Sequence, residues 1–310
     1  MRAFIFPGQG SQAVGMGQAL ADASAAAREA FEEVDEALGQ HLFRLMAEGP
    51  ADTLTLTENA QPAIMVNAIA TLRVLEREAG LSLAGTAEFV AGHSLGEYSA
   101  LCAARALDLT TTARLLRLRG QAMQAAVPVG EGAMAAILKL DFDEVAAIAA
   151  QAAQGEVVTA ANDNAPGQVV VSGHQAAVAR AIELAKAAGG RGLPLPVSAP
   201  FHCALMQPAA DAMAAALATA DLRSPLLPVY ANVTAAPVAD PDVIRRLLVE
   251  QVTGTVRWRE SVAAMAAAGV TSFVELGGKV LAPMVKRIVP DAEAISLVTM
   301  ADVEAFAKTL

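Results

Sequence analysis

VAGHSLGEY, at residues 90–98, is the stretch that decides the fold, because it sets a Gly-x-Ser-x-Gly pattern between an apolar segment and an alanine-rich one. The pattern is typical of a nucleophile turn, in which a serine lies on a sharp strand-to-helix corner with its hydroxyl exposed. Any side chain at Gly92 or Gly96 would crowd that corner. The first N–H groups of the following helix have no intrahelical partner, so the donors near Leu95 face the position where an acyl oxygen would become negative. The stretch therefore predicts that Ser94 is a nucleophile.

The residues on either side supply the strand and the helix that this turn requires. Residues 89–91 are strand-like, and residues 99–104 are small and helix-forming. The alternative for Ser94 is a plain helix-capping role, because serine is also a favoured N-cap residue.

Length and composition favour one large α/β domain, or a large domain that carries a smaller one. The chain has 310 residues; 55% are apolar and 4% aromatic, with alanine making up most of the excess, which favours closely packed helices. Mean hydropathy is +0.43, but one of the two longest stretches without a charged residue, 192–210, contains four prolines. A membrane-spanning helix is therefore not expected. The chain begins in a strand-like segment without signal-peptide features, which predicts a cytoplasmic location.

Charge and cysteine content exclude several classes of protein. A formal net charge of −10 argues against nucleic-acid binding, because phosphate contacts require a positive surface. Cys102 and Cys203 are too few for a disulfide framework or a four-ligand metal site, and they agree with a reducing compartment.

The loop PGQGSQ at residues 7–12 lacks the Lys-Ser or Lys-Thr of a phosphate-binding loop and the spacing of a dinucleotide fingerprint. No metal and no bound cofactor are expected.

Hydrophobic periodicity predicts an α/β architecture with an insertion. Strands are expected at residues 4–6, 89–91, 227–231 and 271–276. Helices are expected at 22–38, at 61–78 and at 110–125, and a further helix follows the serine turn and runs through residue 107. From residue 132 the expected order is β-α-β-β-α-β, with strands at 133–140, 157–161, 168–172 and 192–197 and helices at 141–153 and 174–188. The predicted fold is a large α/β-hydrolase-like domain with a mostly parallel sheet, formed by residues 1–131 and 199–310. An inserted ferredoxin-like subdomain at 132–198 completes it.

A serine hydroxyl needs a neighbouring base, which at neutral pH is usually histidine. Of the four histidines, His41 opens an amphipathic segment and His174 begins a helix of the insertion. His93 adjoins Ser94 on a turn where adjacent side chains point apart. His202 lies where the main domain resumes, so it is predicted to face the serine from a cleft wall; the alternative is a buried structural imidazole. The group that would orient the His202 imidazole remains open: it is either an acid from elsewhere in the chain or a backbone carbonyl.

Arg119 lies two positions after Arg117 in a mostly apolar helix, so the two side chains point to different faces. One side chain can face solvent while the other points inward. A buried arginine needs an anionic partner, either a group of the protein or a substrate carboxylate held by a two-pronged contact. Both options stay open from the residues alone.

Short motifs are spread in order along nearly the whole chain. They are FPGQGSQ at 6–12, GHSLGEY at 92–98, RG at 119–120 with MQ at 123–124, NDN at 162–164 with PGQVV at 166–170, PFH at 200–202, VRW at 256–258 and ELG at 275–277. This ordered set resembles the malonyl-CoA:acyl carrier protein transacylases of bacterial fatty-acid synthesis and the related acyltransferase domains of polyketide synthases. An ordered set is far more specific than any single motif.

The resemblance implies a two-step acyl transfer without metal or bound cofactor. Malonyl-CoA would be the donor and acyl carrier protein the acceptor, with a covalent malonyl-serine between the two steps. By this match Ser94 looks like the acylated nucleophile and His202 like its base. Gln12 and the backbone N–H of Leu95 resemble the donors that hold the oxyanion.

The same resemblance implies roles for three further residues. Arg119 resembles the arginine that pairs with the malonyl carboxylate, the main-chain carbonyl of Gln251 resembles the group that orients the histidine, and Asn162 resembles a cleft-lining residue. The Phe201-His202 pair is similar to the form associated with malonyl preference. The segment QVTGTVRW at 251–258 departs from the family's Leu-x-x-Pro-Val spacing, which loosens the assignment of Gln251.

Two other classes of function remain open. A serine esterase or thioesterase would use the same serine and histidine with water as the acceptor. A non-catalytic scaffold would keep the fold without the chemistry.

Overall fold

A computed structural model describes residues 1–197 and 199–310. The strands are β1 (Arg2–Phe6), β2 (Phe89–Gly92), β3 (Gly132–Leu138), β4 (Val158–Ala165), β5 (Gln168–His174), β6 (Arg191–Pro194), β7 (Val229–Ala231), β8 (Ala236–Val238), β9 (Ser272–Leu276) and β10 (Glu293–Leu297). The helices are α1 (Gln18–Ala23), α2 (Ala25–Leu38), α3 (Leu42–Glu48), α4 (Ala51–Thr55), α5 (Thr57–Glu78), α6 (Leu83–Thr86), α7 (Gly96–Ala103), α8 (Leu109–Ala125), α9 (Phe142–Ala153), α10 (Gln175–Ala187), α11 (Gln207–Thr219), α12 (Pro241–Thr253), α13 (Trp258–Ala267), α14 (Leu281–Ile288) and α15 (Met300–Ala307). A 3₁₀ helix spans Ala204–Met206.

The larger sheet has the strand order β10-β9-β1-β2-β7-β8, and every pairing except β7 with β8 is parallel. Its central strands are buried on both faces. Phe4 and Val90 pack into one hydrophobic cluster, while their chain neighbours Ile5 and Ala91 pack into the other. This alternation of buried faces explains why β1 and β2 consist almost wholly of apolar residues.

The second sheet is antiparallel and has the order β4-β5-β3-β6. Its elements follow one another as β3-α9-β4-β5-α10-β6. One face packs with α9 and α10 into a separate core that includes Ile137, Val145 and Val171. The opposite face turns Met134 and Val170 toward the larger part of the chain. The prediction of a mixed α/β fold with a mostly parallel sheet is confirmed.

Main-chain hydrogen bonds connect the edge strand β4 to the segment that precedes α13. Val256 donates to the carbonyl of Ala161, and Asp163 donates to the carbonyl of Val256, each at 2.9 Å. The Asp163 side chain, which is 1% exposed, also forms a salt bridge with Arg259 at 2.8 Å. These contacts hold the antiparallel sheet beside the carboxyl ends of β1 and β2, where the two parts of the chain enclose a cleft.

Several predicted boundaries are wrong, each for a local reason. The helix predicted at 22–38 is two helices, because the hydroxyl of Ser24 accepts a hydrogen bond from the N–H of Ala27 at 3.2 Å and caps α2. The strand predicted at 157–161 continues to Ala165, because β4 stays paired with β5 through two irregularities in the register. The strand predicted at 192–197 ends at Pro194. The sequence predictions include no strand at β8 or β10, which form the edges of the larger sheet.

Candidate active site

The turn that carries Ser94 connects β2 to α7, and it leaves no room for a side chain at Gly92 or Gly96. A Cβ atom on Gly92 would lie 1.8 Å from the carbonyl oxygen of Gly96, and one on Gly96 would lie 2.2 Å from that of Phe6. Ser94 itself has φ +53°, a left-handed conformation that residues with a Cβ rarely adopt. The two glycines allow the tight approach of chain segments that leaves the serine at the tip of the turn.

Ser94 and His202 meet across the cleft, as the sequence predicted. Ser94 Oγ lies 2.8 Å from His202 Nε2, although the two residues are 108 positions apart. The other ring nitrogen, Nδ1, lies 2.9 Å from the main-chain carbonyl of Gln251. That carbonyl can only accept a hydrogen bond, so Nδ1 carries the proton and Nε2 is left free to accept the serine proton. Burial, together with the positive charge of Arg119, lowers the pKa of His202 to about 3.

Arg119, on α8, is 1% exposed and reaches Ser94. Its NH1 donates to Gln61 Oε1 at 2.9 Å, and its NH2 donates to Gln251 Oε1 at 2.9 Å and to Ser94 Oγ at 3.2 Å. Its Nε has no hydrogen-bond partner among the described residues. Within residues 1–197 and 199–310, the ion pairs do not include Arg119. Burial lowers the pKa of the guanidinium, and the nearby Tyr98 and Glu97 oppose that shift without forming a salt bridge with it among the described residues. A guanidinium that is buried in this way is suited to bind an anion at the cavity that it lines.

Behind the nucleophile lies a buried acid that sequence reasoning missed. Glu97 Oε2 accepts hydrogen bonds from Gln251 Nε2 at 2.7 Å and from the main-chain N–H of Asn232 at 3.0 Å. Burial raises the pKa of Glu97 to about 7. Gln251 Nε2 also donates to the Ser94 carbonyl at 3.1 Å. The signal for Glu97 was its place in the first turn of α7, where its side chain points back beneath the turn instead of outward to solvent.

Asn232 and Gln61 are the other polar residues that the sequence analysis did not single out. Asn232 follows β7 and contacts both sides of the nucleophile turn. Gln61, on α5, bridges Arg119 and the sulfur of Met123, to which its Nε2 donates at 3.7 Å. Both are 1% exposed. Each follows or belongs to a predicted element, but nothing in the local pattern shows that its side chain points into the site.

The remaining predicted site residues line the same cavity, which has a volume of about 310 Å³. Gln12 lies at its edge, where its Oε1 accepts a hydrogen bond from the N–H of Gly10 at 2.7 Å. The N–H of Leu95 meets no acceptor within the described part of the chain. Asn162, on β4, is 6% exposed and also borders the cavity. Apolar side chains, including Met123, complete the walls.

His93 does not contact the nucleophile oxygen. Its Nε2 lies 2.8 Å from Asn164 Oδ1, and burial lowers its pKa. This placement agrees with the expectation that neighbouring side chains on the turn diverge. Across the two described ranges, no cluster of three or more His, Cys, Asp or Glu side chains is arranged to hold a metal ion. A search of the helices in those ranges finds none that combines the length and the apolar character needed to span a bilayer.

Comparison with known proteins places the chain in a family. The family model for the acyl transferase domain matches residues 3–296, so the chain belongs to the acyl transferase family. It is 47% identical over 297 residues to the malonyl CoA-acyl carrier protein transacylase of Escherichia coli (strain K12), covering 95% of each chain. It is 45% identical over 306 residues to the protein of the same name from Bacillus subtilis (strain 168), again covering 95% of each.

Solved structures share the whole fold. An acyl-carrier-protein-S-malonyltransferase from Bartonella henselae superposes with a TM-score of 0.97 at 52% identity, covering 99% of this chain and 98% of that one. A type II PKS acyl-carrier protein in complex with its malonyl-transacylase gives a TM-score of 0.96 at 40% identity, covering 100% of this chain and 99% of the matched chain.

Proposed function

We propose that this chain transfers a malonyl group from coenzyme A to the phosphopantetheine thiol of an acyl carrier protein through an ester on Ser94. The observation that carries the proposal is the buried guanidinium of Arg119, which forms no salt bridge within the described residues and lies 3.2 Å from the oxygen that His202 can deprotonate. A serine–histidine pair suits many acyl groups, whereas a buried guanidinium beside the serine favours one that ends in a carboxylate. The transacylases among its relatives support the same substrates.

In the first half-reaction, Ser94 Oγ attacks the thioester carbonyl while His202 Nε2 takes the hydroxyl proton. The tetrahedral intermediate then collapses, the carbon–sulfur bond breaks, and His202 returns the proton to the sulfur so that coenzyme A leaves as a thiol. The main-chain carbonyl of Gln251 holds the imidazole in the required tautomer and stabilises its positive charge, the role that a carboxylate has in a triad. Malonyl-Ser94 remains.

In the second half-reaction, the carrier-protein thiol gives its proton to His202 and attacks the ester. The carbon–oxygen bond to Ser94 breaks, the serine recovers the proton, and the malonyl group leaves on the carrier. We assign the oxyanion in both steps to the N–H of Leu95, which has no other acceptor within the described residues, and to Gln12 at the cavity edge.

Arg119 links substrate choice to the strength of the base. In the free protein its positive charge is one of the two main causes of the low pKa of His202. A malonyl carboxylate bound to the guanidinium would cancel most of that charge, so protonation of His202 during the attack becomes easier. An acetyl group offers no such compensation. Asn162 borders the same cavity and we assign it a lining role.

We infer a large α/β-hydrolase-like domain at 1–131 and 199–310 because the serine turn follows a central parallel strand. We infer a ferredoxin-like insertion at 132–198 because the order β4-β5-β3-β6 places the first and third strands of that unit side by side in the centre of its sheet. Two buried free cysteines and substrates of central metabolism favour the cytoplasm.

A hydrolase that uses the same serine and histidine is the rival function. The experiment is intact-mass measurement after brief exposure to malonyl-CoA or acetyl-CoA, followed by addition of either buffer or acyl carrier protein. The proposal expects a malonyl adduct that is absent in Ser94→Ala, little acetyl adduct, and faster loss of the adduct to carrier than to water. Release chiefly as free malonate would establish the hydrolase, and the absence of any adduct would establish a non-catalytic scaffold.

A further inference from the structure

Asn232 is the first residue after β7, at the position where the pairing between β2 and β7 would continue. The two strands pair in parallel with Val90 opposite Val229 and Ala91 opposite Tyr230. Two more steps in this register bring Asn232 opposite His93. In a regular parallel ladder, Asn232 would bond through its main chain to the residues before and after its partner.

The main chain of Asn232 is used elsewhere. Its N–H donates to Glu97 Oε2 at 3.0 Å, and its carbonyl accepts from the N–H of Arg257 at 3.0 Å. The side-chain amide makes the two ladder bonds instead: Nδ2 donates to the carbonyl of Gly92 at 2.7 Å, and Oδ1 accepts from the N–H of Ser94 at 2.7 Å. A carboxamide has the donor and acceptor of a peptide group, so it can extend the ladder by one step into the turn.

The two hydrogen bonds of the Asn232 side chain hold the backbone at Ser94. Ser94 has φ +53°, and a left-handed serine persists only when its surroundings fix it. Asn232 is 1% exposed, so water has no access to replace either bond. Without the amide, the turn would relax, and Ser94 Oγ would move relative to His202 Nε2, now 2.8 Å away. The oxyanion donor at Leu95 would move with it.

We propose that Asn232 is a positioning residue for acylation: its side-chain amide acts as a surrogate peptide group that keeps Ser94 in its reactive geometry. This inference rests on the proposed function, because it assumes that Ser94 is acylated. Asparagine alone meets both demands at this length. Aspartate keeps an acceptor for the Ser94 N–H but offers no donor to Gly92, and it would set a second carboxylate beside Glu97.

The experiment compares Asn232→Ala and Asn232→Asp with the wild type and with Asn67→Ala. Asn67 is a matched control, because it is also buried and its Nδ2 donates to a main-chain carbonyl, that of Gly277, at 2.9 Å, outside the cavity lining. Single-turnover acylation by malonyl-CoA is followed as thiol release and as the mass of Ser94, over a range of malonyl-CoA concentrations. Thermal unfolding of each variant is measured alongside.

Asn232→Ala should lower the maximal acylation rate about 100-fold, while half-saturation by malonyl-CoA stays within about threefold, because Asn232 does not line the cavity. Asn232→Asp, which keeps one of the two bonds, should lie between Ala and the wild type. Asn67→Ala should lose similar stability but acylate within about threefold of the wild type.

An equal rate loss in Asn67→Ala, or a rate within about threefold of the wild type in either folded Asn232 variant, would overturn the inference. So would failure of both Asn232 variants to fold while Asn67→Ala folds, since that assigns the residue to the fold alone. Absence of acylation in the wild type would instead refute the proposed function.

Discussion

Gln61→Glu is the substitution that tests most sharply whether Arg119 selects the malonyl group. The new carboxylate would keep the size of Gln61 and its contact with Arg119 NH1, now 2.9 Å. It would also give the guanidinium a salt bridge, which Arg119 does not form with any described residue. The substrate carboxylate would then have to bind an arginine that is already neutralised.

The magnitude follows from the positions of the donors. Gln61 accepts from NH1, so a substrate carboxylate has to bind the same guanidinium beside it. Carboxylates on the two sides of one guanidinium are about 6 Å apart, and at an effective dielectric constant of about 20 they repel by about 3 kcal/mol. That repulsion corresponds to about a 100-fold loss in kcat/KM for malonyl-CoA. Acetyl-CoA has no acyl charge to repel and should change by less than about threefold.

The assay is kcat/KM for both thioesters, with transfer to carrier protein as the readout, at about pH 8 so that the new carboxyl beside Arg119 is ionised. Gln61→Met is the control, because it removes the hydrogen bond without adding charge. The malonyl-to-acetyl ratio should fall about 100-fold in the Glu variant and stay within about threefold in the Met variant. Equal ratios in the two variants would refute the reasoning, since they would show that the charge at this position does not act on the substrate.

Three further outcomes are expected. Arg119→Ala should lose malonyl transfer while keeping or gaining activity on uncharged short acyl thioesters; equal loss on both would argue against a carboxylate-binding role. The pKa of the His202 imidazole is lowered to about 3, so in the wild type the ring should stay neutral in NMR spectra from about pH 8 to pH 5. In Arg119→Ala, which lacks the nearby positive charge, the ring should titrate at a higher pH. A midpoint near the ordinary value of about 6.5 in the wild type would contradict the burial argument. The pKa of Glu97 is raised to about 7, so its stabilising contribution is complete below about pH 4.5 and is lost as the pH rises through 7. In urea unfolding, the free energy of unfolding of Glu97→Gln should therefore rise by up to about 3 kcal/mol relative to the wild type between pH 5 and pH 8. A difference that stays constant with pH would contradict this expectation.

Ser94 and His202 could be predicted as a pair from the sequence because local chemistry restricts where each can lie. The spacing of Gly92, Ser94 and Gly96 is dictated by a turn that admits no side chains at its glycines. His202 was reached by elimination among four histidines and by its place at the end of the insertion. Arg119 was marked by its offset from Arg117, which in the structure points elsewhere and donates to Asn59 and Gln40. The structure brings these predicted residues together; their roles in catalysis stay predictions.

Local patterns predicted the central strands and the long helices α5, α8, α9 and α10, but not the edges of the larger sheet or the bounds of the helices after residue 199. Buried central strands and amphipathic helices have strong periodicity, so their type was predicted correctly. The break at Ser24 was missed because the alanines around it favour one continuous helix, and only the observed cap shows the interruption. The extension of β4 to Ala165 depends on pairing with β5 and on contact with Val256, both of them tertiary.

The supporting residues were beyond reach of the sequence because their partners are distant. Asn232 bonds to Ser94 across 138 positions, and Glu97 bonds to Gln251 across 154. Asn232 directly follows the strand predicted at 227–231, so knowledge that this strand pairs beside the nucleophile strand would have marked it. A single sequence predicts strands with far more certainty than it predicts their order in a sheet.

Gln251 contacts Ser94, His202 and Arg119, so under the proposed function it would couple reactivity to acyl selectivity. Its main-chain carbonyl orients His202, its Oε1 accepts from Arg119, and its Nε2 donates to the Ser94 carbonyl. Both Ser94 and His202 have a left-handed backbone, with φ +53° and +59°, which costs on the order of 1–3 kcal/mol each and needs such support. A change at Gln61, whose printed hydrogen bonds go to Arg119 and Met123, leaves the contacts of Ser94 and His202 in place and should alter selectivity more than reactivity. A change at Gln251 disturbs the nucleophile turn and the guanidinium together, so it must lower acylation by acetyl-CoA as well as by malonyl-CoA.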